Sequence, residues 1–176
     1  MGTGQMLLSI GAIVLLGTIL LTTNRGIEGS TGVLLDTGYG IDAVSLATST
    51  IERAEGLAFD ECTKGDTTGG LVSLSQLTPP AKLGQENGDS MDFDDYDDFN
   101  GLTGGPNSYL IQTDTLPTGS VYEIKTQVHY VYRTSSGDIE ISTSNATWSK
   151  QLDVWVWNVA TPADTVHMTD VFSYWY

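Results

Sequence analysis

The sequence predicts an α+β fold. It comprises a long N-terminal hydrophobic α-helix, a glycine-rich break, and a second amphipathic helix packed on a C-terminal antiparallel β-sheet. Three observations carry this expectation. Residues 1–24 contain no charged side chain. Residues 41–59 repeat apolar side chains at helical spacing. Residues 121–133 alternate with a period of two. The expected organisation is 1–25 as hydrophobic helix, 26–60 as break plus amphipathic helix, and 61–176 as a head. Within the head, 61–105 reads as an acidic loop and 106–176 as the sheet.

Residues 6–21 read MLLSIGAIVLLGTILL, with Ser9 and Thr18 as the only hydroxyls. A helix satisfies such hydroxyls through its own carbonyls. Twenty-four residues make a rod of roughly 36 Å, long enough to cross a bilayer core. Its apolar residues go all round, so no face suits water. Three readings are open: a cleaved secretory signal, a plain membrane anchor, and a helix that waits in a membrane before bundling with its own copies. The first basic residue, Arg25, follows the apolar run, whereas a cleaved signal starts with basic residues. Small residues Gly2, Gly4, Gly11, Ala12 and Gly17 permit close helix approach.

In residues 25–40, Gly26, Gly29, Gly32, Gly38 and Gly40 each weaken a helix by about 1 kcal/mol relative to alanine, so a break is expected there. From 41 to 59, Ile41, Val44, Thr48, Ile51, Glu55 and Ala58 are expected on the face toward the sheet, flanked by Ala47, Ala54 and Leu57. Glu52 and Arg53 point elsewhere. Residues 60–105 read as loop, punctuated by Gly69-Gly70, Pro79-Pro80 and Gly104-Gly105, with a short strand at 71–74. Four antiparallel strands follow at 121–133, 139–143, 148–159 and 166–176, with TSSGD at 134–138 as a hairpin turn. Leu152, Val154 and Val156 share one face of the third strand, and Trp155 and Trp157 share the other. Pro162 marks a connection.

Composition excludes several function classes. The chain has 176 residues, 7 basic against 22 acidic, for a formal charge of −15. A nucleic-acid binder needs a basic footprint, so no nucleic-acid partner is expected. A single cysteine, Cys62, excludes an intramolecular disulfide framework. Only His129 and His167 are available for imidazole chemistry. No P-loop, GxSxG, HExxH or GxGxxG pattern occurs, and the chain is expected not to be an enzyme.

An uncharged apolar first helix, a second helix, a variable loop and a C-terminal antiparallel sheet resemble the type IV pilin and pseudopilin class. The resemblance spans the chain in architecture and rests in sequence on the first 25 residues. It implies a structural subunit of an extracellular pilus-like helical filament, with roles in surface attachment or motility. The implied partners are further copies of the chain, a pilus assembly machinery, a prepilin peptidase, and the cytoplasmic membrane before assembly. By the resemblance, Met1 takes the place of the processed, N-methylated first residue, and Gln5 stands where the family carries glutamate. The filament core would be Met1, Gln5, Met6, Leu7, Leu8, Ile10, Ile13, Val14, Leu15, Leu16, Ile19, Leu20 and Leu21. The alternative is a membrane-anchored envelope or ligand-binding domain that never polymerises.

Residues 89–100 read DSMDFDDYDDFN. Three readings are open, the third being a catalytic carboxylate pair, which would need a hydrophobic pocket to raise one pKa. In the first, Phe93, Tyr96 and Phe99 pin a turn to the sheet while the aspartates face water. In the second, Asp92, Asp94, Asp95, Asp97 and Asp98 supply a Ca²⁺ site, the one cofactor the sequence suggests. Asn145-Ala146-Thr147 is an N-glycosylation sequon. Cys62 is expected to be a buried free thiol, with an intermolecular disulfide as the alternative. Trp148, Trp155, Trp157, Tyr174, Trp175 and Tyr176 are expected in core and interface packing.

Overall fold

The computed structural model describes residues 2–65, 73–85, 93–101 and 107–174. Met1, Asp92, Trp175, Tyr176 and the start of the strand expected at 71–74 lie outside these. The element order is α1 (Thr3–Glu55) followed by five strands: β1 (Leu110–Thr115), β2 (Val121–Arg133), β3 (Ile139–Ser142), β4 (Ser149–Asn158) and β5 (Thr161–Ser173). The α+β class and the antiparallel sheet are as expected. The chain divides into two compact units, Met1–Ile41 and Asp42–Tyr176, each described by itself below.

The expected glycine-rich break is absent, because α1 is one helix of 53 residues. Glycine costs helical stability but removes no hydrogen bond, and proline, which does, first occurs at Pro79. Thr31 and Thr37 donate back to the carbonyls of Ile27 and Val33, closing their own polar needs within the turn.

In the second unit, the end of α1 lies on the sheet through Ala43, Ala47 and Ala54, all buried. The face is therefore rotated from the expected one: Ile41 and Val44 are exposed. Alanines leave room for the filled face of β2, where Tyr122, Ile124, Thr126, Val128 and Tyr130 are all buried. Tyr122 donates its hydroxyl to Asp42 (3.3 Å). Leu152, Val154 and Val156 of β4 join the same layer. The helix stops at Glu55, before the expected Phe59, and Gly56 begins a turn.

The sheet order is β1-β2-β4-β5, with β3 on the same side of β2 as β1. β1 pairs with Val121 to Thr126 of β2, and β3 pairs with Tyr130 to Arg133. Between them the Val128 amide has no strand partner, and it donates instead to Asn100 Oδ1 (3.1 Å). Asn100 Nδ2 donates onward to Leu83 O (2.9 Å), and Thr126 Oγ1 donates to Phe99 O (2.6 Å). Strand β1 was not expected. Strand β5 begins earlier than expected and takes in Pro162. As an edge strand it tolerates a residue without an amide hydrogen. Ser73 caps a 3-10 turn at Leu74–Gln76 where the end of a strand was expected.

Candidate functional site

The first candidate surface is built by sequence alone. Within the first unit, Met6, Leu7, Leu8, Ile10, Ile13, Val14, Leu15, Leu16, Ile19, Leu20 and Leu21 are all exposed, Leu8 by 76%. The hydroxyls among them make no demand on a partner: Ser9 donates to Gln5 O, Thr18 to Leu15 O, and Thr22 to Thr18 O. The helix is long and apolar enough to cross a membrane. Gln5 is exposed on its first turns, and its backbone amide bonds Gly2 O. The structure thus places the described residues of the expected core together on one continuous helix.

The second candidate is the acidic loop. Phe93, Tyr96 and Phe99 do pin it: Phe93 stacks on Phe99 (4.8 Å), Arg53 lies over Phe93 (4.6 Å), and Tyr96 meets Phe172 (5.1 Å). Three of the described aspartates do not face water, contrary to the expectation that accompanied this reading, while Asp94 stays partly exposed. Asp95, Asp97 and Asp98 are fully buried. Their shortness lets them turn back on their own backbone. Asp95 Oδ1 accepts from the amides of Asp97 and Asp98, and Asp98 Oδ2 from those of Asp94 and Asp95. Burial pushes the Asp98 carboxyl above the ordinary carboxylate range, against the pull of those two amides. Asp94 pairs with Lys64. Among the described residues no group of three or more acidic, histidine or cysteine side chains is arranged to hold a metal.

A third constellation was not anticipated. Lys150 is fully buried, and its Nζ donates to Phe59 O (2.6 Å), Asp60 Oδ2 (2.9 Å) and Asp97 Oδ1 (2.5 Å). The rings of Phe59 and Tyr130 lie 4.7 and 5.3 Å from it. Both carboxylate partners are also shut off from solvent. Asp60 further accepts from the Thr78 amide and hydroxyl, the Tyr130 hydroxyl, and the Cys62 amide and thiol. Burial works to raise the Asp60 carboxyl, but the Lys150 charge and these donors outweigh it and hold it below its ordinary value. Burial dominates at Asp97 and pushes that carboxyl up in spite of Lys150. At Lys150 burial opposes the charge, yet the facing carboxylates prevail and hold the amine up. The sequence did carry a signal for this site. Lys150 has the same parity in its strand as Leu152, Val154 and Val156, so a period of two already points it inward.

The remaining candidates fall elsewhere. Asn145 is exposed in the connection between β3 and β4, and its carbonyl accepts from Ser142. Cys62 is exposed, not buried. Burial around its sulfur, with the hydrogen bond to Asp60 and that group's charge, pushes the thiol up to about 12. His129 is buried. His167 lies outside the core, stacked on Trp155 (4.6 Å) and bonded to Asp153 (2.9 Å). Trp148 and Tyr174 stack (5.7 Å) beside the cluster of Phe59, Leu77, Leu83 and Tyr130. Compared with protein-family models, curated proteins and solved structures, the chain finds no match in any of the three.

Proposed function

We propose that this chain is the structural subunit of an extracellular, type IV pilus-like helical filament, held in the cytoplasmic membrane before assembly. One observation carries the reading: an uncharged apolar helical segment whose large side chains are exposed all round, leading into a chain that ends in an antiparallel sheet domain. Such a segment is at ease only in lipid or against other apolar helices. Bundled copies satisfy it outside the membrane. Head-to-tail contacts that do not close into a ring extend into a filament. The glycines along the helix, Gly11 and Gly17 among them, face open space in the single chain and accommodate close neighbours. The function is structural, with attachment or motility following from the filament.

Electron microscopy of sheared cell-surface material, combined with peptide identification of the fibres, tests this. Thin helical fibres built from this chain are expected, and Leu15→Asp abolishes them while the protein remains in membranes. Stable detergent-extracted monomers and fibre-free cells overturn the proposal in favour of a membrane-anchored envelope domain.

A further inference from the structure

Lys150 and its two carboxyl partners form a buried, hydrogen-bonded cluster. We infer that Lys150 Nζ and the Asp97 side-chain carboxyl condense, with Asp60 as proton carrier, to form an intramolecular amide cross-link between the acidic loop and β4. The inference concerns the second unit alone and is independent of whether the chain polymerises.

Four features of the site carry it. The first is approach: Nζ stands 2.5 Å from one oxygen of Asp97, one bond from the carbon it would attack. The second is exclusion of water, since Lys150, Asp60 and Asp97 are all fully buried, with the rings of Phe59 and Tyr130 beside the amine. Water is the competitor that keeps amines and carboxyls apart in solution, and here it is absent from the reactants and is the product expelled. The third is division of labour between the carboxyls. Asp60 accepts from Thr78, Tyr130 and Cys62 as well as from Lys150, a donor set that keeps it ionised and so in the form that can receive a proton, though a weaker base than a bare carboxylate. Asp97 lacks such a donor set, and burial favours its neutral acid, the better electrophile. The fourth is the cost of the alternative. Ions taken from water are expensive even when paired and hydrogen-bonded, and the ion pair of Lys150 with Asp60 is held where no solvent reaches it. Formation of the amide, with Asp60 left protonated, removes the Lys150 and Asp60 charges together.

The step balances. Asp60 takes a proton from the Lys150 ammonium, leaving a neutral amine. The nitrogen lone pair forms the N–Cγ bond to the neutral Asp97 carboxyl. Asp60 returns its proton to the departing hydroxyl, which leaves as water when the Cγ–O bond breaks, and it takes up the second nitrogen proton. The products are one amide, one water and a protonated Asp60. No group is oxidised or reduced, and no co-reactant is needed. Each chain reacts once. With a single cysteine the head has no disulfide of its own, and this bond would serve the same restraining purpose.

Mass spectrometry of the full chain, extracted in detergent and denatured, reads the bond directly. Trypsin cuts after Lys82, Lys125 and Arg133 but not after an acylated lysine. The expected product is peptide 83–125 joined to 134–176, lighter than the sum of the two by one water, with fragmentation placing the link at Asp97 and Lys150. Lys150→Met and Asp97→Ala lose the joined species entirely. Asp60→Asn retains both reacting groups and lowers the joined fraction at least tenfold in freshly made protein. Full-mass, separately eluting peptides from folded wild-type protein overturn the inference and leave an ordinary buried ion pair. A link to peptide 54–64 shows Asp60 to be the acceptor and overturns the assignment of roles. Water loss confined to one linear peptide reports a succinimide and overturns it as well. Because the wild-type map alone decides, a variant that fails to fold does not blunt the test.

Discussion

Gly101 holds φ at +81°, and a Cβ there would meet the Tyr109 carbonyl oxygen at 2.6 Å. Two demands therefore meet at one residue, a left-handed backbone and a close approach to the chain entering β1. Gly101→Ala is expected to destabilise the second unit by about 2 kcal/mol or more. Thermal melting followed by near-ultraviolet dichroism measures it. His129 illustrates a different constraint. Burial lowers its pKa from 6.5, only partly offset by the charge of Asp153. A depressed histidine protonates first in the unfolded chain. Its contribution is thus fully present above the unfolded value and is lost as pH falls from there through the folded value. His129→Gln should flatten the dependence of melting temperature on pH below that point. An unchanged slope would assign the effect to the carboxyls. These residue-scale features were only partly legible. Glycine before a strand signals a turn, but the Tyr109 carbonyl is a tertiary neighbour that no local pattern reveals. Lys150 could be read as inward by parity, whereas its partners Asp60 and Asp97 come from loops without periodicity.

At the scale of elements, legibility tracked how strongly one period dominated. In β2 every second side chain from Tyr122 to Tyr130 is buried, and the strand falls at the bounds its alternation predicts. In β1 the sequence LIQTDT offers only two apolar residues, adjacent at its start and giving no alternation, so its strand character comes from pairing with β2. The expected helical break does not occur because propensity is a sum. Scattered glycines at about 1 kcal/mol each do not stop a helix whose every amide still finds a carbonyl. Gly29→Ala and Gly32→Ala, where an added Cβ meets nothing within 4 Å in the single chain, should each favour the helix by roughly 1 kcal/mol. Far-ultraviolet dichroism of the detergent-solubilised chain during heating checks this. The end of α1 carries the opposite expectation. Ala47 is fully buried on the sheet, so Ala47→Leu overpacks the layer and costs about 1–3 kcal/mol. A mutant melting as the wild type does would show that the helix can lift without penalty.

For the whole molecule, the two units pose different problems for the same solvent. The second folds around its own core of tyrosines, valines and leucines, with the acidic loop laid over the sheet through Phe93, Tyr96 and Phe99. The first leaves its large aliphatic side chains exposed. The contrast was fully legible in composition, because a stretch of 24 residues without a charge is read directly from the sequence. The position of the core within the head was not, since Asp95, Asp97 and Asp98, expected at the surface in one reading, are buried beside it. A chain with Leu15→Asp should therefore lose polymerisation while its head melts at the wild-type temperature. Parallel sedimentation and calorimetry separate the two outcomes, and a lowered melting point would tie the first helix to head stability.

The outer rim of the sheet bears on crowding. Strand β5 is long and lies at an edge, the kind of border onto which stray strands can zip. Pro162 removes one donor near its start, and Asp164 and Asp170 place negative charge along it. Heads packed as the proposed filament requires would thereby be discouraged from fusing into amyloid-like ribbons. In the filament proposed above, self-association would fall to a part of the chain that offers grease and no open hydrogen-bonding border.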